Sequence, residues 1–302
     1  MNTKYPHMFS PITIGGVTFK NRIWSAPAGA HLLYGKEGYP NDHVVAYYAN
    51  KAKGGSANIT VSAQNMDIYQ EYDNVHAHEN IFDSENHRFW NHLTDAIHFY
   101  GAKASLELLG FSYHGRNYKG ELVSYSVNGE EGTQILDKAA MESIASIYAD
   151  AAENALKCGF DMILIHGGHG LILSQMLSPK FNTRTDEFGG CLENRAKFPI
   201  MVAKAVKDAF GKDFLVEMQV SGEEDDGLTI EDIVKFAKLA EGYIDILQLR
   251  AGDGDLAHPT GFNSKPHDPL TLQYAAAIKA SGAKIITAPI GGFQNLDDME
   301  AY

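Results

Sequence analysis

Residues His166–Phe198, HGGHGLILSQMLSPKFNTRTDEFGGCLENRAKF, decide how the chain is read. The run starts directly after the apolar stretch Met162–Ile165 and opens with two histidines, three residues apart, among glycines. A long polar excursion follows, and helical spacing resumes at Leu192. A short β-branched, apolar run that gives way to glycine is a strand reaching its end. Two imidazoles are therefore presented at a strand mouth, with a large loop behind them.

Working outward, strand-like runs recur at Arg22–Pro27, Ala57–Ala63, Lys103–Leu109, Met162–Ile165, Phe214–Val220, Ile244–Leu249 and Lys284–Ala288. Helical spacing covers Asp42–Lys53, Glu85–Tyr100, Ala139–Cys158, Leu192–Phe210, Ile230–Glu241 and Leu270–Ala280, with Thr229 and Asp268 as N-caps. Strands alternating with helices mean a parallel sheet covered by helices. An open doubly wound sheet is the competing architecture, but no GxGxxG follows the first strand, where Ala26–Ala30 reads APAGA. Strand number and even spacing favour an α/β chain folded as a (β/α)8 TIM barrel. Ile12–Phe19, with Gly15-Gly16 at its turn, reads as an N-terminal hairpin across the barrel floor.

Seven strands are found where such a barrel needs eight, and the chain ends at Tyr302 just after a further helix over Leu296–Ala301. The expectation is one barrel domain over residues 1–302, truncated before its eighth strand. A missing C-terminal part or a homo-oligomer would cover the sheet edges so exposed.

Composition narrows the function classes. Of 302 residues, 44% are hydrophobic and 21% charged, which supports a sizeable core. A net charge of −13 speaks against nucleic acid or an anionic membrane surface as partner. The N-terminus has no signal-peptide core and no later run has membrane length, so a cytoplasmic location is expected. With two cysteines, Cys158 and Cys191, there is neither a disulfide framework nor clustered metal spacing.

In a barrel the site lies at the carboxyl ends of the strands. Those ends are Pro27-Ala28-Gly29, Ala63-Gln64, Glu107 with the loop 110–116, His166 with His169, Gln219, Arg250 and Gly291-Gly292. Two imidazoles with small neighbours can donate to one oxygen and stabilise developing enolate charge. Each could equally be a satisfied structural histidine. As metal ligands they lack a third partner at a matching position, so no metal is expected. Gly291-Gly292 is a weak signal for phosphate, strengthened by its place after the seventh strand. Glu223–Asp226 reads as a solvated loop.

The His166–Phe198 segment resembles the signature of the old yellow enzyme family, the FMN-dependent ene reductases. Phe9–Pro27 (FSPITIGGVTFKNRIWSAP) is similar to that family's opening hairpin and first strand, and Lys284–Met299 (KIITAPIGGFQNLDDM) to its seventh strand and phosphate loop. Leu106–Leu108 and the Ser221–Thr229 stretch lean toward the branch of 2,4-dienoyl-CoA reductases, trimethylamine dehydrogenase and bacterial bile-acid and steroid ene reductases. The resemblance implies FMN as cofactor, NADH or NADPH as reductant, and a small enone or enoate as substrate. Reduced flavin would pass hydride to the β-carbon of the C=C bond.

Carried over by position, Pro27, Ala28, Gly29 and Ala63 would line the flavin ring, and Gly291-Gly292 would hold its phosphate. His166 and His169 would bind the substrate carbonyl. Asn182, Arg184, Asp186, Gly189, Gly190, Glu193, Asn194 and Arg195 match positions read as structural. Three site residues depart from the pattern. Leu171 stands where the family has a proton-donating tyrosine, leaving Tyr113, His114, His31 or His258 as donors, with Tyr113 and His258 ranked first. Gln219 replaces an arginine facing the flavin's N1 and O2, and Glu107 replaces a common glutamine. These departures keep two further readings open: a degenerate barrel without catalysis of its own, and an amine dehydrogenase-like flavoenzyme.

Overall fold

The computed structural model describes residues 4–30, 33, 38–66, 80–110, 115–116, 122–123, 125–212, 214–251, 270–291, 293 and 295–301. The chain opens with the hairpin β1 (Ile12–Ile14) and β2 (Val17–Phe19), paired antiparallel about Gly15-Gly16. It then enters a parallel sheet at β3 (Trp24–Ser25), followed by α1 (Asp42–Lys53), β4 (Asn58–Asn65), α2 (His87–His98) and β5 (Lys103–Leu109). Two small ribbons follow, β6 (Gly115–Arg116) with β7 (Leu122–Val123), and β8 (Tyr125–Ser126) with β9 (Gln134–Ile135). Next come α3 (Lys138–Lys157), β10 (Met162–Gly167), α4 (Ile172–Leu177), α5 (Leu192–Arg195), α6 (Lys197–Phe210) and β11 (Leu215–Ser221). The order closes with α7 (Ile230–Leu239), β12 (Ile246–Arg250), α8 (Leu270–Ala280), β13 (Ile286–Pro289) and α9 (Leu296–Ala301).

The seven main strands lie side by side in the order β3-β4-β5-β10-β11-β12-β13, all parallel. Spatial order follows chain order throughout. A doubly wound sheet reverses at a switch point, and this one does not. The pattern is that of a TIM barrel, with β3 and β13 as its two edges among the described residues.

Alternation along the strands separates two apolar zones. Ile59, Val61, Leu106, Leu108, Ile163, Ile165, Val216, Met218, Leu247 and Leu249 face the helices and join the main core. Met162, Leu215 and Ile246 point the other way and pack with Ile14, Val17 and Phe19 of the hairpin. The hairpin thus floors the interior, as its sequence suggested. Gly16 N–H bonds the Lys212 carbonyl at 3.1 Å, fixing the turn under β11. Near the other end of the chain, the Glu300 carboxylate on α9 accepts from the backbone N–H groups of His7 at 2.8 Å and Met8 at 2.9 Å.

Most boundaries fall within two residues of the sequence expectation, and the differences have local causes. The helix expected over Leu192–Phe210 breaks at Ala196, because Pro199 cannot donate to the Arg195 carbonyl and its ring crowds it. Helix α4, buried along its whole length, was missed inside the excursion because its apolar residues leave no amphipathic contrast to read. Thr229 caps α7 reciprocally with Asp232, while Asp268 lies outside the described residues. Glu223–Asp226 is not wholly solvated: Glu224 accepts from the Ser178 hydroxyl and, at 3.1 Å, from Leu228 N–H. No helix among the described residues is long and apolar enough to cross a membrane.

Gly15 tests the seating of the hairpin. Its φ is +54°, and an added Cβ would stand 2.7 Å from the Lys212 carbonyl oxygen and 2.8 Å from Leu215 Cδ2. Gly15→Ala should lower the unfolding free energy by about 2 kcal/mol, read by urea denaturation.

Candidate active site

Above the hydrophobic floor the inward-facing positions turn polar. Glu107 and Glu217 pair in register with Leu164 from either side, and one step higher His166 pairs with Gln219, which pairs with Gln248. At the rim Ser221 pairs with Arg250. All seven polar side chains are buried, from 0% exposed at Glu217 to 6% at Arg250. Buried polar groups need partners, and five of these side chains are joined in two chains.

The first chain runs Glu107–His166–His169. His166 Nδ1 lies 2.7 Å from Glu107 Oε1, and His166 Nε2 lies 2.7 Å from His169 Nδ1. A carboxylate only accepts, so Nδ1 of His166 carries hydrogen. Neutral His166 then accepts at Nε2 from His169, whereas an imidazolium donates there. The two rings lie nearly parallel, 9° apart with centroids 4.8 Å apart, and are joined end to end. For both to donate to one oxygen, the bond between them must open.

His169 is the exposed outer member of the chain and has φ +55°, rare for a residue with a Cβ. Space around the two glycines before it is tight, against backbone at Gly167 and against side chains at Gly168. A Cβ on Gly167 would stand 2.7 Å from the Gln219 carbonyl oxygen, and one on Gly168 would stand 2.9 Å from Arg250 Cδ.

The second chain runs Gln219–Gln248–Glu217. Gln219 Nε2 donates to Gln248 Oε1 at 2.5 Å, and Gln248 Nε2 donates to Glu217 Oε1 at 2.8 Å. Gln219 Oε1 and Glu217 Oε2 are left without a hydrogen-bond partner. Burial raises the Glu217 carboxyl from 4.5 to about 8, with the Glu107 charge adding to the rise and the Gln248 hydrogen bond opposing it.

Helix α1 holds the first two strand ends. The Tyr48 hydroxyl donates to the Ser62 carbonyl at 3.1 Å and accepts from Ser62 N–H at 3.0 Å, and it lies 3.4 Å from the Ala28 carbonyl. Backbone at Pro27-Ala28-Gly29 and the buried Ala63 are thereby fixed beside the mouth. Tyr48 was not singled out from sequence, since a tyrosine on an amphipathic helix reads as core. Arg250 likewise was named only as a strand end. Its guanidinium Nη1 donates to Ser221 Oγ at 3.3 Å, beside Gly168. Gly291 follows β13 with φ +86°. Tyr113, His114, His31, His258 and Gly292 lie outside the described residues. Leu171 is the N-cap of α4, and its N–H bonds the Gly168 carbonyl at 3.2 Å.

The excursion behind the histidines is pinned by the polar residues read as structural. Asn182 Nδ2 donates to the Met176 carbonyl at 2.7 Å and the Phe188 carbonyl at 2.8 Å. Arg184 Nη1 donates to the Val127 and Leu136 carbonyls at 2.9 and 2.8 Å. Arg195 Nε donates to the Leu177 carbonyl at 2.7 Å, and Asn194 to that of Gly189 at 3.1 Å. Among the described residues no group of three His, Cys, Asp or Glu side chains is placed to hold a metal ion.

Residues 7–265 match the NADH:flavin oxidoreductase / NADH oxidase family. The chain belongs to this family. It is 30% identical over 298 residues to the NADPH dehydrogenase of Bacillus pumilus, covering 96% of this chain and 84% of that one. Against the NADH oxidase of Thermoanaerobacter brockii it is 29% identical over 264 residues, 83% of this chain but 40% of the relative. The solved structure of a 2-naphthoyl-CoA reductase superposes with a TM-score of 0.83 at 22% identity, over 98% of this chain and 48% of that one. The chain thus spans less than half the length of the last two. Membership places it among flavin-linked oxidoreductases, in agreement with the resemblance read from His166–Phe198.

The raised Glu217 carboxyl predicts a pH dependence of stability. Between 4.5 and about 8 the folded chain keeps a proton that the unfolded chain releases. That group's contribution to stability should therefore fall as pH rises through this window and level off above it. Glu217→Gln should flatten this segment of the profile in urea melts taken across it.

Proposed function

We propose that the chain is an FMN-dependent oxidoreductase that reduces the C=C bond of an α,β-unsaturated carbonyl compound with NADH or NADPH, residues 1–302 forming its FMN-binding barrel domain. The observation that carries this reading is the buried Glu107–His166–His169 chain emerging at the carboxyl ends of a parallel barrel.

The residues present suit a flat, polar-edged cofactor with an anionic tail. Backbone at Pro27, Ala28 and Gly29 with Ala63 offers a wall, of which Ala28 is exposed. Gln219 presents a buried polar atom that lacks a partner. Gly291, with its left-handed φ, would offer its backbone N–H to a phosphate, a role proposed for Gly292 as well. The chemistry FMN supplies when bound is hydride transfer, from the nicotinamide in one half-reaction and to the β-carbon in the other.

The chain's own residues handle the carbonyl. With Nδ1 donating to Glu107, His166 donates from Nε2 when both ring nitrogens carry hydrogen. With its bond to His169 opened, His166 can donate together with His169 to one carbonyl oxygen. Charge that builds on that oxygen during reduction then meets preorganised donors rather than reorienting water. A proton must also reach the α-carbon, a role we propose for Tyr113 or His258.

Two measurements test the reading. Purified protein titrated with FMN should acquire the absorbance of bound flavin, and a chain that cannot be loaded overturns it. The double substitution His166→Ala with His169→Ala should leave flavin binding intact and lower kcat/KM for a simple cyclic enone by roughly 10²–10³-fold. Unchanged turnover would remove the histidines from the reaction.

A further inference from the structure

The hydrogen bonds between β11 and β12 leave two polar atoms over, Glu217 Oε2 at the foot of the interior column and Gln219 Oε1 at its head. Gln248 is engaged at both ends between them. All three side chains are at least nine-tenths buried. The head of the chain is at the mouth, since Gln219 Oε1 lies 3.4 Å from where a Cβ on Gly168 would stand.

The direction of such a chain is set at its foot. An ionised carboxylate accepts only, so Gln248 must donate to it and Gln219 must donate to Gln248. A carbonyl oxygen then faces the mouth. A protonated carboxyl allows the opposite direction with every heavy atom in place, because each amide need only turn over, exchanging its nitrogen and oxygen. The Glu217 O–H donates to the Gln248 oxygen, Gln248 NH2 donates to the Gln219 oxygen, and Gln219 turns its NH2 to the mouth. In that direction both amide oxygens are paired, and the leftover group at the mouth is a donor.

We propose that the proton on Glu217 sets the polarity of this amide chain, so that Gln219 offers N–H to an electron-rich group at the barrel mouth when Glu217 is neutral and a carbonyl oxygen when it is ionised. Glu217 is a positioning residue in this scheme, two side chains away from the group it influences.

The surroundings favour the neutral form. From β5, Glu107 opposes a second negative charge. From β10, Leu164 stands in register and His166 lies one step above it. From β12, Ile246 stands in register, with Gln248 and then Arg250 higher up. The floor below is the apolar cluster of Met162, Leu215 and Ile246. Burial pushes the carboxyl up to about 8, which favours the neutral form that permits the donor direction. That the group at the mouth is FMN rests on the reading above, whereas the protonation of Glu217 and the direction of the chain do not.

The test keeps the two apart. In protein labelled with nitrogen-15 glutamine, the side-chain amide signals of Gln219 and Gln248 are assigned by Gln219→Met and Gln248→Met. Both signals should shift together as pH passes through about 8. The shift should be lost in Glu217→Gln, whose amide donates at every pH, and the Gln219 signal should stop responding in Gln248→Met. Signals that do not titrate in the wild type, or that titrate unchanged in the variants, overturn the proposal. If Glu217→Gln does not fold, the wild type and Gln248→Met decide. In the FMN-loaded protein the midpoint potential should show a break at the same pH, the reduced flavin being less favoured above it, and Glu217→Gln should lose the break. Amide signals that titrate as expected in a protein that takes up no FMN sink the flavin reading alone.

Discussion

Two buried carboxylates, Glu107 and Glu217, stand on either side of Leu164 in one layer of the barrel interior. Both cannot be charged in such surroundings without compensation. The fold answers differently on the two sides. Glu107 meets the ring N–H of an imidazole, while Glu217 meets neutral amides and burial pushes its carboxyl up to about 8. The two answers give the interior its two chains, and the histidines and Gln219 at the mouth take their orientation from what lies beneath them. An interior built this way is polar where a purely structural barrel would stack aliphatic residues.

Much of the architecture was legible in the sequence. Parallel strands covered on one face by helices read as near-continuous apolar runs, and the Lys103–Leu109 and Asp42–Lys53 limits fall where composition puts them. What escaped was set by tertiary contact. Pro199 gives no warning that it divides a helix rather than opening one. Helix α4 is wrapped on every side, so the polar face that would have marked it does not exist.

The site was half legible for a related reason. Strand ends could be named from the sequence, and so could the residues standing on them. Partnerships between strands could not, because they depend on register. Glu107 was named as a strand end with no sign that its carboxylate meets His166, and Gln219 was read alone although its amide is bonded to Gln248. Tyr48, which ties two strand ends together from α1, has no local signature at all.

The absence of a side chain at Gly168 reaches further than the loop it serves. Arg250 Cδ occupies the space a Cβ would need, with Gln219 Oε1 and Ser221 Oγ close behind. An alanine gained at position 168 would press on the Arg250 side chain and force it to shift, moving the guanidinium that stands at the rim. The room left by one missing methyl group thus sets where a positive charge stands, eighty-odd residues further along the chain.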